Sequence, residues 1–379
     1  MTATAYEAGI KERAVRKALQ LGAGAVRVAP AHADEVSRRR MEAAFTRGDL
    51  ATWNYDARYA ARATDPRALL PGARSVLCIA MAYAVPPPRD HAPLRGRVSN
   101  YAWSSDYHHR LRELLRAVAD EIDAAAGEPV TAVACDTKPL AERAFAARAG
   151  LGWVGKHTNL IAPGHGSFVF LGEVVTTLEL PADVALRKGC GACTACVDVC
   201  PTGALRGDYT IDATRCISDL TQRVDSIPRA MRALIGDWVW GCDLCQLACP
   251  PTRRAPKPAG AQWAPRDREA AGPKLIDLLT LRSGDFKRRY RTTAMGWRGA
   301  AVLRRNAAVA LGNALDRSAV GPLIESLGHD PHPMVRGHVA WALGKIGSPR
   351  AVAALRRRYC AERDASVREE IDSALKAFA

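Results

Sequence analysis

Cys190-Gly191-Ala192-Cys193-Thr194-Ala195-Cys196-Val197-Asp198-Val199-Cys200-Pro201 decides how the chain is read. The spacing Cys-x2-Cys-x2-Cys-x3-Cys-Pro is that of the bacterial ferredoxins. Three cysteines two residues apart wrap a tight loop around one cubane. The fourth starts a helix that carries its sulfur toward a second cluster. Pro201 fixes φ and removes an N–H there. A second run, Cys242-x2-Cys245-x3-Cys249-Pro250, lacks the first loop cysteine, and Cys216 upstream can supply it. By the exchange of fourth ligands, one 4Fe–4S cluster takes Cys190, Cys193, Cys196 and Cys249. The other takes Cys200, Cys216, Cys242 and Cys245. Zinc is the rival reading, but it favours paired Cys-x2-Cys knuckles, often with histidine. It gives no reason for this grammar to appear nearly twice, so two iron–sulfur clusters are the expectation.

Eight of eleven cysteines are thereby assigned. Cys78 and Cys360 are expected as small buried core residues, and Cys135 precedes an aspartate of interest. No apolar run approaches the roughly 18 residues of a membrane span. The segment Met1–Leu21 reads as a polar amphipathic helix without the apolar core of a secretory signal. These features point to a cytoplasmic protein with no membrane contact, where thiols stay reduced and many cysteines mean metal.

Upstream of the cysteines, residues 1–180 alternate helix and strand patterns, the signature of a layered α/β domain. Strands are expected at Ala25–Ala29, Ser75–Ala84, Val130–Cys135 and Ser167–Thr177. Helices are expected at Asp106–Ala126 and Pro139–Ala149, the latter with Thr137 as a candidate cap and Gly150 as its stop. A plain ferredoxin needs only about 60 residues of the kind seen in 181–252. The preceding domain should therefore bind what receives the electrons. It has no GxGxxG after a strand, so a nicotinamide or flavin Rossmann site is not indicated.

Residues 253–379 open with a Pro- and Arg-rich connector, Pro251–Pro273, and end in a repeat. Arg304–Gly312 resembles Arg336–Gly344, and Leu311, Leu343 and Leu375 recur at equal intervals. A period near thirty with paired helices, turned at Asp330-Pro331-His332-Pro333, marks a HEAT-like α-solenoid. The net charge is +15; from Arg253 to Arg305, 14 Lys/Arg stand against 4 Asp/Glu, a local excess of +10. Such a field attracts a polyanion. The candidate phosphate contacts are Arg253, Arg254, Lys287, Arg288, Arg289, Arg291, Arg304 and Arg305. A solvated basic face without a partner is the bland alternative.

Several segments carry a resemblance to the cobalamin-dependent tRNA epoxyqueuosine reductase family. They are Tyr101–His108 (YAWSSDYH), Asp136–Arg143 (DTKPLAER), Ala149–Leu160 (AGLGWVGKHTNL) and Gly166–Glu173 (GSFVFLGE). The ferredoxin run ending CPTGA, Gly241–Gln246 (GCDLCQ) and Arg305-Asn306-Ala307 complete the set. The resemblance implies an α/β cobalamin-binding domain, a two-cluster ferredoxin-like domain and HEAT-like repeats. It implies reduction of epoxyqueuosine at the tRNA wobble position to queuosine. The oxygen leaves as water, and the electrons come from an external donor through the clusters to cobalt. The partner it implies is the anticodon stem-loop carrying epoxyqueuosine, bound by a monomer. The chain has no Asp-x-His-x-x-Gly motif to supply a lower cobalt ligand, which suits a metal reduced to low valence.

Asp136 matches the family's proton donor. Its place at the end of a strand, and a carboxyl pKa raised by burial, would suit that role; a helix-capping aspartate is the alternative. The resemblance also implies cofactor contacts at Arg62, Tyr101, Asp136, Trp153, Lys156, Asn159, Ser167, Ser218 and Asp243, and a tRNA contact at Thr221. The glycines of Gly150–Lys156 offer close backbone approach, with Trp153 over the corrin and Lys156 toward its amides or nucleotide loop. His108 and His109 are expected to be structural, one of them a candidate for the corrin edge. After Cys216 the family's aromatic and glutamate are missing, replaced by Asp219 and Arg223. Two other readings stand beside this one: a cobalamin/iron–sulfur reductive dehalogenase-like enzyme, and a non-catalytic iron–sulfur nucleic-acid-binding protein.

Overall fold

A computed structural model describes residues 3–86, 93–256, 261–376 and 378. The chain divides into two compact units, each built from separated stretches. The first comprises Met1–Val85, Asp106–Thr214 and Leu244–Gln262; the second comprises Pro86–Ser105, Arg215–Asp243 and Trp263–Ala379. This division cuts across boundaries at 180 and 252, and the cysteine-rich segment contributes to both units.

The first unit is layered around a four-stranded sheet, ordered Ala25–Pro30, Ser75–Ala82, Val169–Thr176, Thr131–Ala134. Ser75–Ala82 (SVLCIAMA) is apolar on both faces and buried almost throughout, as a central strand must be. Every pairing is antiparallel. Active sites gather at strand ends in parallel sheets, so that rule does not place Asp136; its neighbours do, as described below. One face is covered by the helix Tyr107–Ala126. Asp106 caps its first turn, and Leu111, Leu114, Leu115, Val118 and Ile122 form its buried stripe. Gly172 opens the sheet beneath it: a Cβ there would meet Leu115 Cδ1 at 2.8 Å. The other face packs Phe145 and Ala146 of the helix Glu142–Arg148 against Val76, Cys78 and Val175.

That helix begins at Glu142, later than the expected Pro139. Thr137 does not cap it: its hydroxyl and its N–H both bond to Cys135 O, which folds 136–141 into an irregular loop. Gly150 does follow the helix end, at φ 77°. The connector carries short helical turns at Pro250–Arg254, Ala261–Trp263 and Arg268–Ala271; residues 257–260 lie outside the described residues.

The second unit ends in five helices, Ala300–Ala314, Val320–His329, Pro333–Ile346, Pro349–Ala361 and Ala365–Lys376. Leu311 and Leu343 are wholly buried, while Leu375 is half-buried in a third repeat with one described helix. A repeated ion pair ties the helices. Arg304 Nε donates to Asp330 at 2.7 Å, and one repeat further on Arg336 Nε donates to Glu362 at 2.8 Å. Glu362 also accepts from Arg358. Burial opposes its charge, yet Arg336, Arg358 and nearby N–H groups hold its carboxyl down at about 2. Cys360 corrects the expectation of a core residue: it is exposed, off the Ala351–Ala354–Leu355 stripe of its helix.

Removing one partner of a buried pair strands the other charge. Glu362→Ala is expected to cost about 3–5 kcal/mol in a denaturant melt. Glu362→Gln is expected to cost less, because it keeps an acceptor.

Candidate active site and cluster cage

Asp136 follows the edge strand Thr131–Ala134 and stands at φ 50°, in the left-handed region. Aspartate tolerates that conformation better than most residues. The position is over-determined. Asp136 donates its N–H to the Glu142 carboxylate, and its Oδ2 lies 3.0 Å from His108 Nε2. The other ring nitrogen of His108, Nδ1, lies 2.6 Å from Asp106 Oδ1. Asp106 caps the helix that carries His108, so the cap also fixes the ring. The Tyr107 ring stacks on Phe170 at 4.0 Å and 2°, and on His108 at 4.0 Å.

The electrostatics reverse one expectation. Asp136 is exposed, with 59% of its side chain accessible. His108, first, holds its carboxyl below the usual range against partial burial, helped by Tyr107 and Arg143. It is a carboxylate, not a buried acid with a raised pKa. The proton sits on His108. Burial disfavours the imidazolium, but Asp106 and Asp136 together push its pKa up to about 9. His108, expected as structural, is thus half of an ion pair with Asp136. The sequence signal was the i, i+2 spacing of Asp106 and His108. Behind them, burial pushes Glu142 upward. Glu173, in the middle of Val169–Thr176, is wholly buried, pushed well above its usual value by burial and then by Glu142. Neither of its oxygens has a partner among the described residues. Its signal was a lone acid in the apolar run VFLGEVVT.

The segment Gly150–Leu160 folds into a hairpin, Trp153–Val154 against Leu160–Ile161. Its glycines serve the protein's own backbone: a Cβ on Gly150 would meet Val184 O at 2.1 Å, and one on Gly152 would meet Ile161 O at 2.4 Å. They do not leave an open cradle. Lys156 points at the cysteine loop. Its N–H donates to Cys190 Sγ at 3.4 Å and its Nζ to Gly191 O at 2.9 Å. Asn159 is half-buried and closes the turn, its carbonyl accepting from Gly155 N. Arg143 reaches Thr158 O at 2.8 Å and so couples this turn to the Asp136 loop.

Two buried donors in the hairpin have no acceptor among the described residues: Trp153 Nε1 and His157 Nε2. His157 is neutral, because burial lowers its pKa to about 4. Its Nδ1 accepts from Asn159 N at 3.2 Å, which leaves the proton on Nε2. A ligand rich in carboxamide oxygens would satisfy both, so the hairpin fits a corrin.

Ser167 is buried and spent on Thr252. Its N–H donates to Thr252 Oγ1 at 3.0 Å, and the two hydroxyls are bonded. It braces the helix Pro250–Arg254 that follows Cys249. Arg62 is exposed on the last turn of Ala57–Ala63. Tyr101, Ser218 and Asp243 belong to the second unit. Tyr101 Oη accepts from Trp240 Nε1 at 2.8 Å, and Ser218 accepts from Gln222 Nε2. Asp243 is buried, pushed up to about 6 by burial. It accepts from Ser99 Oγ and from Asn100 N at 2.7 Å, so its carboxyl clasps 99–100 rather than standing open to a ligand.

Cys190, Cys193, Cys196 and Cys249 all lie in the first unit. Burial raises the Cys196 thiol, and Cys190, Cys249 and Cys193 raise it further. Burial likewise raises Cys249, followed by Cys190 and Cys193. The four thiols thus lie within electrostatic reach of one another. Of the other four, Cys200 and Cys245 fall in the first unit and Cys216 and Cys242 in the second.

The basic candidates separate. Arg253, Arg254, Lys287, Arg288 and Arg291 are exposed. Arg288 is paired with Asp285, and Arg289 is half-buried with its guanidinium 5.3 Å from the Tyr290 ring. Three expectations are corrected. Arg305 is wholly buried; its guanidinium donates to the carbonyls of Arg223, Asp225 and Leu220 and to Asn306. Arg304 is spent on Asp330. Thr221 is wholly buried, donating to Ile217 O and accepting from Gly241 N. None of the three is available to a phosphate.

Comparison with known proteins follows the same outline. Residues 63–137 match the family described as epoxyqueuosine reductase QueG, DUF1730. Residues 189–252 match a 4Fe-4S double cluster binding domain, and 299–376 match HEAT repeats. The chain is 38% identical over 322 residues to an epoxyqueuosine reductase of Bacillus cereus, covering 83% of this chain and 84% of that one. It is 37% identical over 288 residues to that of Escherichia coli, covering 74% and 75%. A crystal structure of selenomethionine-labelled epoxyqueuosine reductase superposes with a TM-score of 0.93 at 33% identity, covering 98% and 99%. A second, holding a tRNA-Tyr epoxyqueuosine-modified stem loop, superposes at 0.91 and 33%, covering 97% and 98%.

If Cys249 shares a cubane with the loop cysteines, Cys249→Ala and Cys193→Ala are expected to lose the same cluster. Mössbauer and reduced-state EPR spectra of the two variants should coincide, with about half the iron kept in each.

Proposed function

We infer the function from one premise: the chain belongs to the epoxyqueuosine reductase family. It is an oxidoreductase that reduces epoxyqueuosine at the tRNA wobble position to queuosine, with cobalamin and two 4Fe–4S clusters as cofactors. The two epoxide C–O bonds break, a carbon–carbon double bond forms, and the oxygen leaves as water. The balance takes up two electrons and two protons. Cobalamin, when bound, would supply a strongly reducing metal centre, and clusters held by the eight cysteines would supply single electrons.

The protein's own task is then the protons and the placement. The observation that carries this reading is the Asp136–His108 pair. A bare carboxylate is a poor acid at neutral pH, but one bonded to an imidazolium has a proton in reserve. His108 passes its proton through Asp136 to the departing oxygen. Asp106 keeps the ring oriented, and Glu142 and Arg143 hold the loop that carries Asp136. The exposure of Asp136 gives substrate access to its free edge. The hairpin Trp153–Ile161 is the proposed corrin contact, through Trp153, His157 and Asn159, with Arg62 at its margin. Lys156 N–H on Cys190 Sγ would raise the potential of a cluster held by that thiolate, as donors to cluster sulfur do. Tyr101, Ser218 and Asp243 act by bracing their own segments.

Lys287, Arg288, Arg289, Arg291, Arg253 and Arg254 are the proposed phosphate contacts to the anticodon stem-loop. Among the described residues no helix is long and apolar enough to cross a membrane. A monomer working in the cytoplasm with a separate electron donor completes the reading, since its thiols and its tRNA substrate belong there.

Asp136→Asn is expected to keep iron and corrin and to lose turnover by about 10²-fold or more. Unchanged single-turnover rates would remove Asp136 from the chemistry. The His108 proton is present below a pH of about 9 and lost above it, so wild-type turnover should fall as pH rises through that value. His108→Asn should be slow and lack that limb. Lys287→Ala with Arg291→Ala should weaken RNA binding and reduce the slope of log affinity against log salt by about one for each cation removed. Binding insensitive to salt would rule those phosphate contacts out.

A further inference from the structure

One group of side chains in the first unit has no part in the chemistry described. Trp53 and Tyr55 are 41% and 38% exposed, although they are large and apolar. Their rings lie 6.1 Å apart at 12°. Tyr55 stacks in turn on Tyr59 at 4.0 Å and 20°, and Phe45 leans on Tyr55 at 6.3 Å and 43°. Three rings therefore stand nearly parallel, running from the surface inward. The helix that carries Tyr59 touches the loop of Asp136, where Ala141 N donates to Ala63 O at 2.7 Å. Burial first, then Tyr55, then the charges of Asp136 and Glu142 push the Tyr59 hydroxyl up to about 12. Arg58 and Arg62, exposed and four residues apart on the same short helix, put positive charge beside the stack.

Packing does not account for this arrangement. Each of the outer two rings keeps about two fifths of its surface in water, and exposed aromatic ladders flanked by arginine are what unpaired nucleic acid is held by. The reaction supplies the need. A base brought to Asp136 must leave the loop's own stack, and its neighbours then lose a stacking partner.

We propose that Trp53 and Tyr55 are a stacking platform for an unpaired base of the tRNA loop adjacent to the modified one, with Arg58 on the flanking phosphate. The proposal rests on Asp136 marking the reacting centre. It names the part of the substrate that this surface takes. Tyr59 is a positioning residue that props the platform against the site.

The test uses full-length holoenzyme and an epoxyqueuosine-bearing stem-loop RNA, with Kd read by fluorescence anisotropy and turnover read separately at saturating RNA. Trp53→Ala and Tyr55→Ala are each expected to raise Kd about tenfold, with the salt slope unchanged. Trp53→Phe should restore most of the affinity. An RNA made abasic beside the modified base should bind wild type about tenfold more weakly, yet lose little further with Trp53→Ala, because ring and base form one contact. Fully additive losses, or a Kd unmoved by Trp53→Ala, would overturn the proposal. So would an unmoved Kd with a raised KM for a reduced flavodoxin or ferredoxin, which would hand the platform to a redox protein. Should an alanine variant misfold, as judged by its cluster absorbance, Trp53→Leu against Trp53→Phe makes the same comparison. Failure of wild type to consume epoxide would defeat the functional reading and leave the binding comparison standing.

Discussion

Four thiols within electrostatic reach of one another oppose each other's ionisation unless a cation lies among them. Cys190, Cys193, Cys196 and Cys249 meet that condition within one unit, and burial together with mutual repulsion raises Cys196 and Cys249. A cubane's iron relieves the repulsion and makes the convergence stable. Much else follows from the demand that Cys249 reach the loop of the other three. The short helix after it must dock, and Thr252 does so on Ser167 at the start of the strand segment 167–176. The loop must also be held from the other side, and Lys156 does this with its N–H on Cys190 and its ammonium on Gly191. Cysteine loop and sheet thereby belong to one unit.

In the proposed mechanism, the proton end of the reaction is organised by a second electrostatic arrangement. Asp106, His108 and Asp136 share one proton between two carboxylates, and sharing makes the imidazolium persist at neutral pH. The N-cap of a helix, a residue in the left-handed region and a buried acid behind it all serve the same small region. In that mechanism electrons and protons are supplied to this unit by separate groups, the cysteine thiolates and the His108–Asp136 pair.

Local pattern carried a large share of this into the sequence. Ser75–Ala82 and Val169–Thr176 were legible as strands because each is apolar and bounded by turn residues. The HEAT-like repeats were legible because the same packing positions recur at a constant interval, as Leu311 and Leu343 do. Ligand spacing alone raised the expectation that Cys249 joins Cys190, Cys193 and Cys196. What stayed hidden were partnerships across long separations. Arg304 and Arg305 look alike in a basic stretch, yet one faces Asp330 and the other fills a cage of carbonyls from 220–225. Asp136 looked like a buried acid because it ends a strand of the layered domain. Its charge state is set by His108, on a different element much earlier in the chain. Thr221 survives from the family pattern for its bond to Gly241, which no spacing rule announces.

The claim on which the rest depends is that these thiolates hold iron–sulfur cubanes. Iron and acid-labile sulfide in protein purified without oxygen test it most directly. The account predicts about eight of each per chain. Zinc with no labile sulfide would contradict it.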